Sequence, residues 1–227
     1  MFRIKCLSFL SAKISKLVNN ARRNGINERN RSRLRNKDFT LFANTCNGGV
    51  ISHDLGLRFN SPFINLWIYP TDYLKILRDY EHYLNYELCF YPIGYGGVNY
   101  PVAKLGDVDI YFMHYKTQEE AETKWRERCG RINRNNIFVL FTEKDGCTEK
   151  DMQDFDSLDY KNKLLLTHLP HPEISCSFYI KGFEEQKECG ILSNWIPKRM
   201  SGKRYLDQFD WVGWFNSGTI DGVERLR

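Results

Sequence analysis

The chain has 227 residues, of which 42% are hydrophobic, and a formal net charge of +5, enough for one sizeable domain with an extension. Its seven cysteines, an odd number with no CxxC pair, argue against a disulfide framework and a structural zinc site. They indicate a reducing compartment. No apolar run reaches the ~18 residues that a membrane-spanning helix needs, and the first residues lack a signal-peptide pattern. We therefore expect a cytoplasmic protein.

The positive charge is concentrated in an N-terminal extension, residues 1–37. This extension has a net charge of +10, whereas residues 38–227, the predicted α/β domain, have −5. A mildly acidic body argues against a nucleic-acid partner, which needs a basic folded surface. Residues 1–18 place lysines among apolar residues at helical spacing, so they predict either a helix on the inner face of an anionic membrane or one packed on the body. Residues 19–37 are predicted to form a flexible arm.

The predicted domain begins with a strand, a turn and a helix. Residues 39–43 are apolar enough for a buried strand, and a glycine-rich turn and a helix follow. Ligands bind beyond the carboxyl ends of strands in open α/β sheets, which is where Cys46 would lie. A helix N-terminus favours the reactive thiolate, and the N–H groups of Gly48 and Gly49 could line an oxyanion or phosphate site. The alternative is a buried structural cysteine.

Strands and helices alternate along the rest of the domain. Several predicted strands are continuously apolar, which favours a mostly parallel sheet with helices on both faces. The sequence therefore predicts a single-domain, three-layer α/β/α fold with a mostly parallel (mixed) sheet. The further predicted strands are residues 63–69, 88–91, 107–115, 136–141, 163–167 and 175–180, and the further predicted helices are residues 70–85, 118–133, 148–158 and 205–215. Residues 218–227 are predicted to form a C-terminal tail.

The carboxyl ends of parallel strands would gather candidate catalytic residues at one edge of the sheet. Cys46 follows the first strand, and His114 and Lys116 lie at the end of the strand at 107–115. Nucleophilic catalysis needs a cysteine, a base within hydrogen-bond reach and a group that orients the base. Cys46 and His114 are therefore candidate catalytic residues, with a core or capping role for His114 as the alternative. The other strand ends contribute Glu143, Lys144, Asp145, His168 and His171.

A second pattern, Asp107 and Asp109, predicts a different chemistry. Two residues apart on a strand, both carboxylates point to one side, and hard cations prefer oxygen ligands. The alternative function is thus a nucleotide-sugar glycosyltransferase or phosphosugar transferase that uses Mg²⁺ or Mn²⁺. These acids lie at the opposite end of the predicted strand from His114, so one site cannot contain both.

A third pattern is basic. Lys124, Arg128 and Arg131 lie on one face of a predicted helix. They could bind the phosphates or carboxylates of a coenzyme A or nucleotide tail. The alternative is salt bridging within the helix to Glu120 and Glu127.

Several segments resemble an uncharacterised bacterial family, a domain of unknown function described as an exopolysaccharide biosynthesis protein. The matching segments are FTLFANTCNGG, LGLRFNSPFINLWI, DYLKIL, YPVAKLGDVDIYFMHY, EEAETKWRERCGRIN, NIFVLFTEKDGCT and FDWVGWFN, which cover most of residues 38–216. The resemblance implies an α/β domain with a role in capsule or exopolysaccharide assembly. It also implies a site formed by Cys46, Gly48, Gly49, His114, Lys124, Trp125 and Arg128.

These observations lead to one principal hypothesis and two alternatives. The principal hypothesis is a transferase that moves an acyl group from acyl-CoA onto a sugar or polysaccharide precursor through Cys46, with His114 as the base. The alternatives are the metal-dependent transferase using Asp107 and Asp109, and a non-catalytic polysaccharide-assembly factor at the membrane surface. The residues predicted to bind the donor are Asn44, Asn47, Gly48, Gly49, Lys116, Lys124, Trp125, Arg128 and Arg131.

Overall fold

The computed structural model describes residues 2–197 and 200–220, with side chains from residue 15 onward. The helices are α1 (Phe2–Arg33), α2 (Asn47–Asp54), α3 (Pro70–Arg78), α4 (Tyr80–Leu84), α5 (Gln118–Cys129), α6 (Glu149–Asp156) and α7 (Trp211–Ser217). The strands are β1 (Thr40–Ala43), β2 (Leu88–Phe90), β3 (Val102–Leu105), β4 (Val108–Tyr111), β5 (Ile137–Thr142), β6 (Asn162–Thr167) and β7 (Ser177–Tyr179).

Four parallel strands form the central sheet, in the order β1-β5-β6-β7. Alternate side chains enter two apolar cores on opposite faces of this sheet. Phe42 and Phe141 belong to the core that α3, α5 and α6 cover, whereas Leu41 and Leu140 belong to the core that α2 and α7 cover. The predicted single-domain α/β fold with a mostly parallel sheet is confirmed.

The segment predicted as a strand of the parallel sheet, residues 107–115, lies elsewhere. Its first half is β4, which joins β2 and β3 in a separate antiparallel sheet of order β2-β3-β4. β3 and β4 are connected by a tight turn at Gly106, where φ is +63°. So short a connection can join only antiparallel strands, because a parallel pair needs a long crossover. The prediction was wrong because β3 was not recognised as a strand.

Residues 63–69, predicted as a buried strand, form an irregular buried segment. Trp67 alone makes a bridge, to β4, and Asn65 has a φ of 62°, which interrupts an extended chain. The continuous apolar run correctly predicted that this segment is buried, but such a run does not distinguish a strand from a buried segment of irregular structure. The helix predicted at residues 70–85 is likewise divided into α3 and α4 at Asp79, where φ is −153°.

The predicted flexible arm, residues 19–37, is helical over most of its length and docks on the body. The guanidinium group of Arg23, on this helix, contacts the carboxylate of Asp54 at 2.5 Å and that of Asp207 at 2.6 Å. Arg204 contacts the same Asp54 carboxylate at 2.8 Å. The prediction of a solvated arm was wrong because carboxylates distant in sequence compensate its charge, which allows burial.

Two predictions at the chain ends fall largely outside the described residues. The side chains of residues 1–14 are not described, so the predicted membrane contact of residues 1–18 stays a prediction. Residues 221–227, most of the predicted C-terminal tail, also lie outside the described part. Within that part, no helix combines the length and the apolar character that crossing a membrane requires.

Candidate active site

Cys46 and His114 are in contact at the carboxyl edge of the central sheet. Sγ of Cys46 lies 3.1 Å from Nε2 of His114. Cys46 ends the turn between β1 and α2, and His114 lies in the loop after β4. Backbone hydrogen bonds of 2.9 and 3.0 Å between Trp67 and Tyr111 hold β4 beside the chain that follows α2. This pairing between the two halves of the domain brings the two candidate catalytic residues together.

The Cys46 thiol is partly buried. It lies 3.2 Å from Sδ of Met113 and 3.8 Å from the carbonyl oxygen of Leu66, and burial raises the pKa of the thiol to about 11. The helix N-terminus was expected to favour the thiolate, but burial, the larger influence, favours the protonated thiol and exceeds the opposite effect of a backbone hydrogen bond. A protonated thiol needs a base, and Nε2 of His114 can accept its proton when the ring hydrogen is on Nδ1.

The Cys46–His114 pair borders a cavity of about 420 Å³. Its lining is mostly apolar and aromatic, with a few polar groups, as is typical of small-molecule sites. The cavity therefore has room for an organic ligand of moderate size next to the thiol. Beside the pair it is lined by Thr45, Asn47, Trp67, Tyr100, Met113, Lys144, Asp145, Gly190, Ile191, Leu192 and Ser193.

Hydrogen bonds fix the polar wall of the cavity. The indole N–H of Trp67 donates to Asp145 at 2.6 Å, and burial raises the pKa of the Asp145 carboxyl. Nζ of Lys144 contacts Glu188 at 3.2 Å, which ties the loop after β5 to the segment that contributes residues 190–193. These two contacts thus hold the cavity wall in place.

His168 and His171 follow β6, as predicted, but they do not line this cavity. The buried Glu143 carboxylate accepts hydrogen bonds from the backbone N–H of His168, at 2.8 Å, and contacts its Nδ1 at 2.8 Å. His171 contacts Glu173 at 2.8 Å. The Glu143–His168 contact links the ends of β5 and β6, which is a structural role.

A family model and a related protein match most of this chain. The model of a family described as a domain of unknown function, DUF1919, matches residues 17–216. The chain belongs to this family. The match contains Cys46 and His114, and it begins within α1, so part of the docked N-terminal helix belongs to the DUF1919 domain. An uncharacterized protein of Haemophilus influenzae is 43% identical over 207 residues, which are 90% of this chain and 97% of that protein.

Gly48 and Gly49 let α2 pack closely in the DUF1919 domain. A Cβ atom on Gly48 would lie 2.8 Å from Cβ of Ala43, and one on Gly49 would lie 2.5 Å from Oδ1 of Asn65. Neither glycine is among the residues that line the cavity. Packing therefore accounts for both positions, and their predicted role as oxyanion donors stays a prediction.

We expect Gly48→Ala to lower the free energy of unfolding by about 1–3 kcal/mol, because the added methyl overpacks the contact with Ala43. Urea unfolding followed by circular dichroism measures this loss. Gly25→Ala is the matched control: its added Cβ meets no heavy atom within 4 Å, so helix propensity should raise stability by about 0.5–1 kcal/mol. Equal stability of Gly48→Ala and the unmodified protein would show that α2 can shift without cost.

The basic residues predicted to bind an anion are paired within the domain. Lys124 and Arg131 each contact Glu127 at 3.1 Å, which is the salt bridging expected as the alternative. Arg128 is buried and donates to a backbone carbonyl at 3.1 Å. Lys116 is exposed and is not among the cavity-lining residues. None of these four basic residues therefore lines the cavity beside Cys46 and His114.

Of the other predicted donor-binding residues, only Asn47 borders the cavity. Asn44 bridges β1 and β5 through hydrogen bonds of 3.0 and 2.9 Å with the backbone of Thr142. Asn47 donates to the Thr142 hydroxyl at 3.2 Å. Trp125 is buried, with its ring centroid 5.7 Å from that of Phe63. Asn44 and Trp125 therefore stabilise the fold.

Asp107 lies in the turn between β3 and β4, and Asp109 lies on β4 of the small antiparallel sheet. Asp107 accepts hydrogen bonds from Lys75 at 3.0 Å and Tyr83 at 2.7 Å, and Asp109 accepts one from Tyr91 at 2.9 Å. In the part of the chain that the structure describes, no three or more His, Cys, Asp or Glu side chains are grouped to hold a metal ion. The metal-dependent alternative thus gains no support from this geometry.

Sequence analysis did not assign several cavity residues to the site. Met113 was adjacent to a candidate catalytic residue, which was the only local signal for it. Trp67 and Tyr100 could not be assigned to the site from the sequence, because the residues beside them in the cavity come from other parts of the chain. Residues 190–193 belong to the irregular segment between β7 and α7, and no periodic pattern marks them.

Proposed function

We propose that this DUF1919 protein is a transferase that moves an acyl group onto a sugar or polysaccharide precursor through Cys46. The observation that carries the proposal is the 3.1 Å contact between the Cys46 thiol and the His114 imidazole, beside a mostly apolar cavity. A thiol within hydrogen-bond reach of a base is the arrangement that nucleophilic cysteine catalysis uses. The apolar lining suits an acyl chain better than a phosphate or a free sugar.

The proposed reaction has two half-reactions with the same base. First, His114 takes the thiol proton while Sγ attacks the carbonyl carbon of an acyl-CoA; a thioester to Cys46 forms, and coenzyme A leaves as a thiol with that proton. Next, a sugar hydroxyl attacks the thioester and gives its proton to His114. The ester forms, the S–C bond breaks, and the proton returns to Cys46. N–H groups at the start of α2 stabilise the oxyanion in both steps.

Partly exposed aromatic rings next to the cavity support a sugar as the acceptor. The ring centroid of Trp67 lies 4.5 Å from that of Tyr69 and 4.4 Å from that of Tyr111, and Tyr69 is 41% exposed. Such rings offer apolar faces with polar edges, which suits stacking against a sugar ring. The Asp145 carboxylate beside Trp67 can accept hydrogen bonds from sugar hydroxyls. The resemblance to exopolysaccharide proteins supports the same acceptor class.

A cytoplasmic location belongs to this proposal. The cysteines whose side chains are described are all free thiols, which suits a reducing compartment. Coenzyme A thioesters and activated sugar precursors are also available there. The location therefore agrees with both the proposed nucleophile and the proposed donor.

Intact-protein mass after incubation with acyl-CoAs, from acetyl to palmitoyl, tests the proposal. We expect the unmodified protein to gain the mass of one acyl group and Cys46→Ala to gain none. Cys89→Ala is the control, because Cys89 is an exposed thiol that could be acylated without catalysis. The proposal fails if Cys46→Ala is acylated as fast as the unmodified protein, or if no donor modifies Cys46.

A further inference from the structure

Three side chains at the cavity mouth carry donors for a soft metal ion. Sγ of Cys46 lies 3.2 Å from Sδ of Met113 and 3.1 Å from Nε2 of His114. We propose that these three atoms form a binding site for Cu(I). The proposal rests on the donor set alone and does not depend on acyl transfer.

The types of donor select the ion. Thiolate and thioether are soft ligands that favour Cu(I), and imidazole also binds copper. Zinc prefers four nitrogen, thiolate or carboxylate ligands and has little affinity for a thioether. Among the described residues, no alternative group of three or more His, Cys, Asp or Glu side chains offers a zinc or magnesium site. A monovalent soft cation is thus the best match.

The local backbone makes the convergence possible. Met113 and His114 are consecutive, and on a strand they would point to opposite faces. They lie instead in the turn after β4, where both side chains approach Cys46. In a three-coordinate site, metal–sulfur bonds of about 2.3 Å would separate two sulfurs by roughly 4 Å, so an outward rotation of the Met113 side chain suffices. Met113 is 38% exposed, and its unbranched side chain is free to make that movement.

Binding displaces a proton and involves no change of oxidation state. The Sγ–H bond of Cys46 breaks, an Sγ–Cu bond forms, and the proton is released to solvent. Because a proton leaves when the ion binds, the apparent affinity should rise with pH. Sulfur bound to copper cannot attack a carbonyl carbon, so Cu(I) would also inhibit any chemistry that uses Cys46.

Anaerobic titration of the full chain with Cu(I), in competition with bicinchoninate, tests the site. We expect the full chain to bind one Cu(I) ion tightly. Cys46→Ala and Met113→Leu should each lower the affinity by at least ~10-fold, because even replacing a residue that only contacts a metal ligand typically costs that much. X-ray absorption should show two sulfurs and one nitrogen on the ion. Cys89→Ala and Met200→Leu are matched controls, because these residues are exposed elsewhere, and both should bind as the unmodified protein does.

The outcomes separate this site from ordinary thiol binding. Unchanged affinity in Met113→Leu would overturn the proposal, since the thioether would then be no ligand. Weakening by Cys89→Ala equal to that by Cys46→Ala would also overturn it. Tight Cu(I) binding without acylation of Cys46 would leave this site standing and remove only the proposed transferase activity.

Discussion

Replacing Asp54 with alanine is expected to lower the free energy of unfolding by about 3–5 kcal/mol and to release α1 from the body. Asp54 is buried, and its carboxylate accepts hydrogen bonds from Arg23 at 2.5 Å, Asn27 at 3.1 Å and Arg204 at 2.8 Å. Without it, the buried guanidinium of Arg23 keeps only Asp207. A buried charge that loses a partner costs more than the bond itself, because water cannot replace that partner.

Urea unfolding gives the stability change, and limited proteolysis within α1 reports its release. Asp159→Ala is the control, because Asp159 is exposed and such surface changes usually stay within about 0.5 kcal/mol. Asp54→Asn keeps the shape but removes the charge, so its loss should be intermediate. A loss below about 1 kcal/mol in Asp54→Ala, the range of exposed ion pairs, would mean that water reaches the Arg23 contacts.

The docked helix explains why composition misled the prediction of the N-terminal arm. Residues 19–37 contain seven Lys or Arg and one Glu, a net charge of +6, and so charged a segment lacks the apolar surface that usually stabilises folding. Asn19, Arg23 and Asn27 are nevertheless buried, since these three positions, one helical turn apart, each present a polar group to a partner on the body. Those partners lie more than a hundred residues away in several cases, and composition carries no information about them. The DUF1919 match from residue 17 includes this half of α1.

Strands and helices were predicted correctly where the interactions that form them lie within a few residues of one another along the chain. The continuous apolar runs of β5 and β6 correspond to strands buried on both faces. Thr117 accepts a hydrogen bond from the N–H of Glu120 and Thr148 forms a capping box with Asp151, as threonine before a helix predicts. The donor and the acceptor of such a helix cap lie within four residues of each other, so the local sequence contains both partners of the hydrogen bond.

The sequence predicted the Cys46–His114 pair of the candidate site, but neither most of the residues that line its cavity nor the way in which the fold brings the pair together. Cys46 and His114 were expected at the carboxyl ends of strands of one parallel sheet, whereas His114 follows β4, an antiparallel strand outside that sheet. Their contact depends on the pairing of Trp67 with Tyr111, which no local pattern indicates. The thiol pKa was misjudged for a related reason. The helix dipole is visible in the sequence, but the burial that opposes it is a property of the tertiary structure.

His114→Ala is expected to slow the proposed acyl transfer by about 10²–10⁴-fold, the contribution of a positioned general base. The reason is the thiol pKa of about 11. A group whose pKa lies above the solution pH is protonated, so a lone Cys46 thiol reacts only through its rare thiolate. The rate in His114→Ala should therefore rise about 10-fold per pH unit between pH 7 and 10. With His114 present, the base removes the proton during attack and the dependence on pH is weaker.

Iodoacetamide alkylation of Cys46, followed by peptide mass spectrometry, measures this difference without a known substrate. We expect alkylation at pH 7 to be slower in His114→Ala than in the unmodified protein, with the two rates converging as the pH approaches 11. His82→Ala is the control, because His82 is exposed on α4 and contacts Tyr86 rather than a thiol. Equal rates and equal pH slopes in the unmodified protein and His114→Ala would show that the imidazole does not activate Cys46. The 3.1 Å contact would then be structural, and nucleophilic catalysis at this site would lose its base.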